Sequence, residues 1–425
     1  MTVLIENETA PEPHKARAKP LRIAWVSDVG PGGGVPGMAT QLVTGLSAQD
    51  CQLVVFSRIP RKEVEKLFSE AVLEKTRFIL SPYTWEWGKW YSRDRRIAFI
   101  ASFIKRLKAG KKLVSQLTAE HAQDPFDVVV QFSQIELFGL RKYAAHLPIV
   151  IYPCVHADGE RQACIREKSI ARKCEPWWWR QFRSLYLEVR SRIQARDLRL
   201  ARKIIGMSNV FNKTLKRDYR LDNAKFGVVY HPIQLDQISA CKGRADGQIR
   251  LLFVGRISVR KGIELLLEAA PQILAKHPNV IITIVGSGSL WSNYEPLLAH
   301  TRSERLVWKK SLPHPEVIKE MENSDVLLVP SHYEPGGIVV GEALAAGMVV
   351  VASDVVGSAE ILSDEVCMRY PAGNVLGFLT ATETAIECMR SGPQKLRQRA
   401  RDECEKHFSL TTVTNVLLSQ LKPLA

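Results

Sequence analysis

A chain of 425 residues, 46% hydrophobic and 24% charged, has room for two domains with separate cores. It contains no run of about 18 uncharged apolar residues, which excludes a membrane-spanning helix of the usual kind. The net charge of +15 is uneven: residues 1–240 carry 39 Lys and Arg against 24 Asp and Glu, and residues 241–425 carry 20 of each. Such asymmetry fits either a solvated surface or an anionic partner for the first half. No nucleic-acid motif accompanies it, so no nucleic-acid partner is expected.

In chain order, residues 1–20 are polar and rich in Pro, Ala and Lys, without an apolar core segment. They read as a disordered tail and not as a signal peptide. Leu21–Val26 is a short apolar run before a glycine loop, the pattern of a buried parallel strand opening a doubly wound sheet. Gly37–Leu46 then reads as helix, Leu53–Ser57 as strand, and Asp127–Phe132, Ile149–Tyr152 and Lys203–Met207 as further buried strands. Long helical stretches, Arg93–Leu117 and Arg180–Arg202, lie between them. The pattern restarts after Pro232, with strands at Ile249–Gly255, Val280–Val285, Val326–Pro330 and Met348–Ala352 and a helix at Gly262–Ala275. Alternating strands and helices predict parallel α/β sheets. The boundaries follow: an N-terminal Rossmann-like domain at 21–235, a second at 236–405, and a last helix within 406–425 crossing back to the first. The eight cysteines are scattered, with no C-x-x-C pair. They read as reduced thiols of a cytosolic protein, without a metal site.

Ligands of such sheets bind beyond the carboxyl ends of the strands, so the cleft between two facing sheets is the expected site. Gly255 ends a strand, and Arg256 and Lys261 sit on the loop that opens the next helix. Two cations beside a helix start suit a diphosphate. Farther on, Glu334 lies in the loop after Val326–Pro330. Gly336 and Gly337 then allow close backbone approach, a helix starts near Ile338, and Glu342 follows one turn in. In the first half, Asp28–Met38 is a glycine-rich loop containing Gly33, Gly34 and Gly37. A dinucleotide cofactor would want an acidic residue after the second strand, where Val54–Arg58 has none. His156 and Asp158 follow the apolar run Leu147–Val155 and so point at the cleft.

These residues carry a resemblance. The spacing of Glu334 and Glu342, the strand-Gly-Arg-x4-Lys-Gly loop, the stretch Ala343, Gly347, Val350, Val351, Ala352, and Gly357 with Glu360 together resemble retaining glycosyltransferase family 4 of the GT-B fold. The likeness is specific over 249–365 and mainly topological over the first half. It implies two facing Rossmann-like domains, the second binding a nucleotide-diphosphate sugar and the first an acceptor. It implies that Arg256 and Lys261 neutralise the leaving diphosphate, that Glu342 binds the ribose, and that Glu334 sits near the transferred sugar. Gly336, Gly337 and Ile338 would hold sugar and phosphate through their amides, with Gly255, Gly286, Gly33 and Gly34 near the donor. His156 would contact the sugar or aid the reaction, with Asp158 and Gly37 on the acceptor side. The family often has an aromatic residue where this chain has Gly336.

Bond cleavage builds negative charge on the diphosphate, and fixed cations there lower the barrier. With Arg256 and Lys261 present, no metal or other cofactor is expected. The implied activity is hexosyl transfer with retention to a glycan or lipid-linked acceptor, in cell-surface polysaccharide or glycolipid synthesis. A catalytically inactive relative acting as a binding protein, or a phosphorylase or epimerase of the same fold, are the competing readings. Two aromatic clusters, Trp85–Tyr91 and Trp177–Trp179, lie in the basic half. They fit either an anionic membrane surface on the inner face of the membrane or rings packed in the core beneath solvated lysines.

Overall fold

The computed structural model describes residues 19–31, 34–82, 96–133, 146–221, 226–241, 246–288, 294–298 and 303–424. The first half is built on β1 (Leu21–Val26), β2 (Cys51–Ser57), β3 (Thr76–Leu80), β4 (Val128–Phe132), β5 (Ile149–Tyr152), β6 (Lys203–Gly206) and β7 (Phe226–Val228). They form a sheet in the order β3-β2-β1-β4-β5-β6-β7, and every pairing is parallel. Parallel strands need crossover helices on both faces, so central strands lose contact with water on both sides. All six residues of β1 are buried. One of them is Arg22, whose guanidinium reaches Glu120 at 2.9 Å and stacks over Phe126 at 4.2 Å. A buried cation is tolerated where such partners replace water.

The crossovers are α1 (Val35–Ser47), α2 (Arg61–Leu67), α3 (Glu70–Lys75), α4 (Arg96–Gln123), α5 (Ala157–Arg166), α6 (Lys168–Cys174), α7 (Trp177–Leu200) and α8 (Asn209–Tyr219). The helix expected over Arg93–Leu117 is described from Arg96 and runs on to Gln123. The one expected over Arg180–Arg202 starts at Trp177, directly after Pro176. Proline is suited to a helix start because its missing N–H has no partner there anyway.

The second half repeats the scheme with β8 (Ile249–Val254), β9 (Val280–Val285), β10 (Leu306–Lys309), β11 (Val326–Val329), β12 (Val349–Ser353) and β13 (Cys367–Tyr370). The order is β10-β9-β8-β11-β12-β13, again all parallel. Its helices are α9 (Ile263–Lys276), α10 (His314–Glu322), α11 (Ile338–Ala345), α12 (Val375–Ser391), α13 (Pro393–Phe408) and α14 (Leu410–Leu421). Apolar clusters cover both faces of this sheet.

The chain crosses between halves twice at one place. Ile233 pairs with Ser409 as a parallel bridge, and the Ile233 amide donates to the Phe408 carbonyl at 2.7 Å. Beyond it, α14 buries Val413, Leu417, Leu418 and Leu421 in the core of the first half, next to α1. That i, i+4, i+8 spacing is the apolar stripe of a helix lying on a core. Ile170 and Ala171 of α6 make the reverse excursion and pack into the core of the second half.

Candidate active site between the two sheets

Strand ends from the second half build one wall. Val254 closes β8, Gly255 and Arg256 follow, and a tight 3-10 turn over Val259–Lys261 brings Lys261 round. Its ammonium forms an ion pair with the Glu334 carboxylate from the loop after β11. Both side chains are largely enclosed, 15% and 11% exposed. Burial alone would push the Glu334 carboxyl up. Lys261, Arg260 and Arg256 outweigh that and hold it below its ordinary value. Burial pulls the Lys261 ammonium down, with Glu334 opposing. The pair therefore stays ionised because each member has the other.

Arg256 lies exposed at the margin, and its charge acts on Glu334, Lys261 and Glu160. Arg260 turns toward the first half. Its guanidinium lies 3.5 Å from Glu160 and donates to the Tyr333 carbonyl at 3.3 Å. Its amide donates to the Glu167 carboxylate at 2.7 Å, and Glu167 also accepts from the Tyr294 hydroxyl at 2.8 Å. Acidic side chains of α5 and its C-cap thus grip the turn that carries Lys261.

Gly337 caps α11 with φ +91, a conformation that costs a residue with a Cβ roughly 1–2 kcal/mol. The turn fixes the start of α11 beside Glu334, and the first amides of a helix carry partial positive charge. Ser358 locks this loop, donating from its amide to the Gly336 carbonyl at 2.7 Å and from its hydroxyl to the Gly337 carbonyl at 2.8 Å. Glu342 is 7% exposed, and its carboxylate lies 2.7 Å from His314 Nε2. That hydrogen bond raises the His314 imidazole above its ordinary value against the opposing effect of burial. Gly286 has φ +147, and a Cβ there would stand 1.8 Å from the Gly255 carbonyl, so the ends of β8 and β9 meet at backbone distance. Gly336 has a different neighbour: a Cβ there would lie 2.2 Å from His231 Cε1. The buried His231 ring fills that space, and burial lowers its pKa to about 4 against the attraction of Glu334.

The first half supplies the facing wall. His156 caps α5 and is fully buried. Its Nδ1 is 3.1 Å from the Tyr333 hydroxyl, next in the chain to Glu334, and its Nε2 is 3.5 Å from Asp218. Burial lowers its pKa to about 4, with Asp218, Asp158 and Glu160 opposing. Asp158 is held by Arg161 at 2.9 Å and Gln162 at 2.6 Å. Gly34 caps α1 and Gly37 is buried within it, while Gly33 lies outside the described residues. Asp28, in the same loop, pairs with the buried Arg58 just after β2. Of the aromatic clusters, Trp85–Tyr91 lies outside the described residues. The triplet on α7 divides: Trp179 is buried, and Trp177 and Trp178 are exposed.

The fold therefore brings Lys261, Glu334, Gly336, Gly337 and Ile338 into one group and links His156 to it through Tyr333. Glu360 lies on the turn that Gly357 opens and faces the first half. Its carboxylate accepts from the Asn209 and Val210 amides at the start of α8, at 2.6 and 2.8 Å, and from the Tyr230 hydroxyl at 2.6 Å. Sequence reasoning missed Glu160, Glu167, Arg260, His231 and His314. Each acts across at least 28 residues of chain, where spacing carries no signal.

His156, Asp158 and Asp218 are the one group among the described residues whose ligand atoms, all within 4.8 Å, could hold a metal ion. Both carboxylates there already accept from Arg or Gln donors, including Arg217 on Asp218 at 2.7 Å.

The family model for "Glycosyl transferases group 1" matches residues 236–401, and that for "Glycosyltransferase Family 4" matches 32–237. The chain belongs to the group 1, family 4 glycosyltransferases. An uncharacterized glycosyltransferase of Methanocaldococcus jannaschii is 40% identical over 125 residues, 29% of this chain and 32% of that one. A glycogen synthase of Mycobacterium tuberculosis is 28% identical over 179 residues, 41% of this chain and 42% of its own. The match thus spans a third to two fifths of these relatives. The structure of a sucrose-phosphate synthase from Thermosynechococcus elongatus superposes with a TM-score of 0.64 at 19% identity, covering 95% of this chain and 99% of that one. Anabaena HepE, crystallised with UDP and glucose, gives 0.61 at 15% identity, covering 95% and 100%. At such identities the likeness is one of fold, the GT-B arrangement of two Rossmann-like domains. No described helix is long and apolar enough to cross a membrane.

Proposed function

We propose that this chain transfers a hexosyl unit, with retention of anomeric configuration, from a nucleotide-diphosphate sugar to a glycan or lipid-linked acceptor. The observation that carries the reading is the enclosed Lys261–Glu334 pair at the strand ends of the second sheet, with Arg256 at its margin and the start of α11 beside it. The protein's own carboxylates face these cations. A donor diphosphate would take their place against Lys261 and Arg256 and reach the start of α11. Glu334, released from Lys261, would then face the transferred sugar, and Glu342 would meet the ribose. His156 lies one hydroxyl away, on the side where the first half would present the acceptor, with Asp158 and Gly37. Charge development on the leaving diphosphate is met by fixed cations, so the reaction would run without a metal ion. The excess of basic residues in the first half supports a reading in which that half meets an anionic membrane surface, as cell-surface polysaccharide or glycolipid synthesis at the inner face would require.

The test is a panel of nucleotide sugars, read by thermal stabilisation and by release of nucleoside diphosphate. One donor should stabilise the protein and be turned over, with turnover lowered about 100-fold or more in Lys261→Ala, as for other fixed charges at a reacting centre. A response to no donor would instead favour a binding protein of the same fold. The anomeric configuration of the first-formed product, read by proton NMR, tests retention, and an inverted product would refute it.

A further inference from the structure

The buried side of α7 is set by Trp179, Arg183, Leu187 and Leu198, which face the protein. The opposite side carries Trp178, Leu185 and Val189, which are 45%, 66% and 48% exposed. Counted from Trp178, these are i, i+7 and i+11, so they share one helix face. The same face continues through Arg192 and Arg196, at i+14 and i+18, both exposed. Trp177 adds a second exposed ring at 70% beside the stripe. Exposed apolar side chains gathered on one face, a tryptophan, a leucine and a valine in one row with a second tryptophan beside it, mark an interaction surface. Glu188 is the acid nearest this row, and it pairs with Arg192 at 2.9 Å. The last turn of α6, which precedes it, is basic as well, with exposed Arg172 and Lys173.

We propose that this face of α7 docks on an anionic lipid surface. Tryptophan rings sit at the headgroup level, leucine and valine enter the acyl boundary, and arginines pair with lipid phosphates. The charge sign selects anionic over zwitterionic lipid, and the apolar end selects a bilayer over an acidic protein. The inference deepens the membrane reading proposed above by naming its surface. Of the two aromatic clusters read from the sequence, it takes the one at Trp177–Trp179, which opens this helix. Docking through α7 would turn the first half toward the bilayer, where a lipid-linked acceptor would lie.

The test needs no donor or acceptor, so it stands apart from the outcome of the nucleotide-sugar panel. The full chain is sedimented with large vesicles of phosphatidylcholine alone and of phosphatidylcholine with 30% phosphatidylglycerol, a composition on the order of the anionic content the surface potential assumes. Binding to the mixed vesicles alone is expected, falling as salt rises. Arg192→Ala with Arg196→Ala should weaken it about 25-fold, from roughly fivefold per cation near such a surface. Trp178→Ala with Leu185→Ser should reduce it further, and the unchanged thermal melting of these surface variants shows that they fold. No sedimentation of the wild type with anionic vesicles would overturn the proposal. So would full binding by both double variants, which would place the contact elsewhere.

Discussion

Lys261→Met and Glu334→Gln remove one charge each from the enclosed pair with little change in volume. Breaking a buried ion pair from one side typically costs about 3–5 kcal/mol, because the survivor keeps its desolvation penalty. Here both side chains retain some exposure, 15% and 11%, and Arg260 and Arg256 remain near Glu334. We therefore expect about 2–3 kcal/mol for Lys261→Met. For Glu334→Gln we expect about as much, since it leaves Lys261 beside two guanidiniums. The double variant should lose clearly less than the sum, with a coupling of at least ~1.5 kcal/mol. Urea unfolding of the ligand-free protein, followed by tryptophan fluorescence and circular dichroism, measures this. Donor turnover should show no such rescue, since both groups would meet the ligand. Additive stability losses would refute the pair as a mutually dependent unit. Restored turnover in the double variant would refute separate roles toward the donor.

Two further outcomes are expected. His156 and His231 are buried with pKa values near 4, so the folded state keeps both neutral while the unfolded chain binds protons near the ordinary value of about 6.5. Folded values below unfolded ones mean that stability falls as pH drops from about 6.5 toward 4, by about 2 kcal/mol per imidazole at pH 5. Denaturation midpoints of wild type and His231→Asn between pH 7 and 5 should show a shallower fall in the variant, and parallel curves would contradict the assignment. Gly336→Ala drives a Cβ to 2.2 Å from the His231 ring and should cost about 1–3 kcal/mol by overpacking. His231→Ala should relieve most of that cost in the double variant, as read by thermal unfolding, and an undiminished cost would show that the clash lies elsewhere.

The central strands of both sheets were legible because burial on two faces writes a continuous apolar run, as in Leu21–Val26 and Ile249–Val254. The strands that escaped notice lie toward the edges. β3 and β10 are mostly half-buried and mix polar with apolar residues, β7 is only a half-buried Phe-Gly-Val segment, and the short β13 is interrupted by exposed Arg369, so they lack that signature. At the site, the placement of Lys261 after β8, and of Glu334 and the glycines after β11, was legible because each is set by local spacing at a strand end. Glu160, Glu167 and Arg260 were not, because their partners are set by how α5 and α6 dock on the second half. Glu360 shows the same limit from the other side. Its place near the glycine turn was readable, but the helix start it caps belongs to the other domain.

The position of α14 also bears on how the molecule is made. Val413, Leu417, Leu418 and Leu421 complete the core of the first half, yet they leave the ribosome after the whole second half. At usual elongation rates the two events are separated by roughly 10–35 s. During that interval α1 presents the apolar side that α14 will cover, and the nascent first half is an unfinished globule open to chaperones or to misassociation. A frameshift or stop codon near residue 409 would leave the second sheet and the loops that carry Lys261 and Glu334 intact while denying the first half its closing helix. The consequence of such a lesion would be seen in the yield and solubility of the protein before it was seen in catalysis.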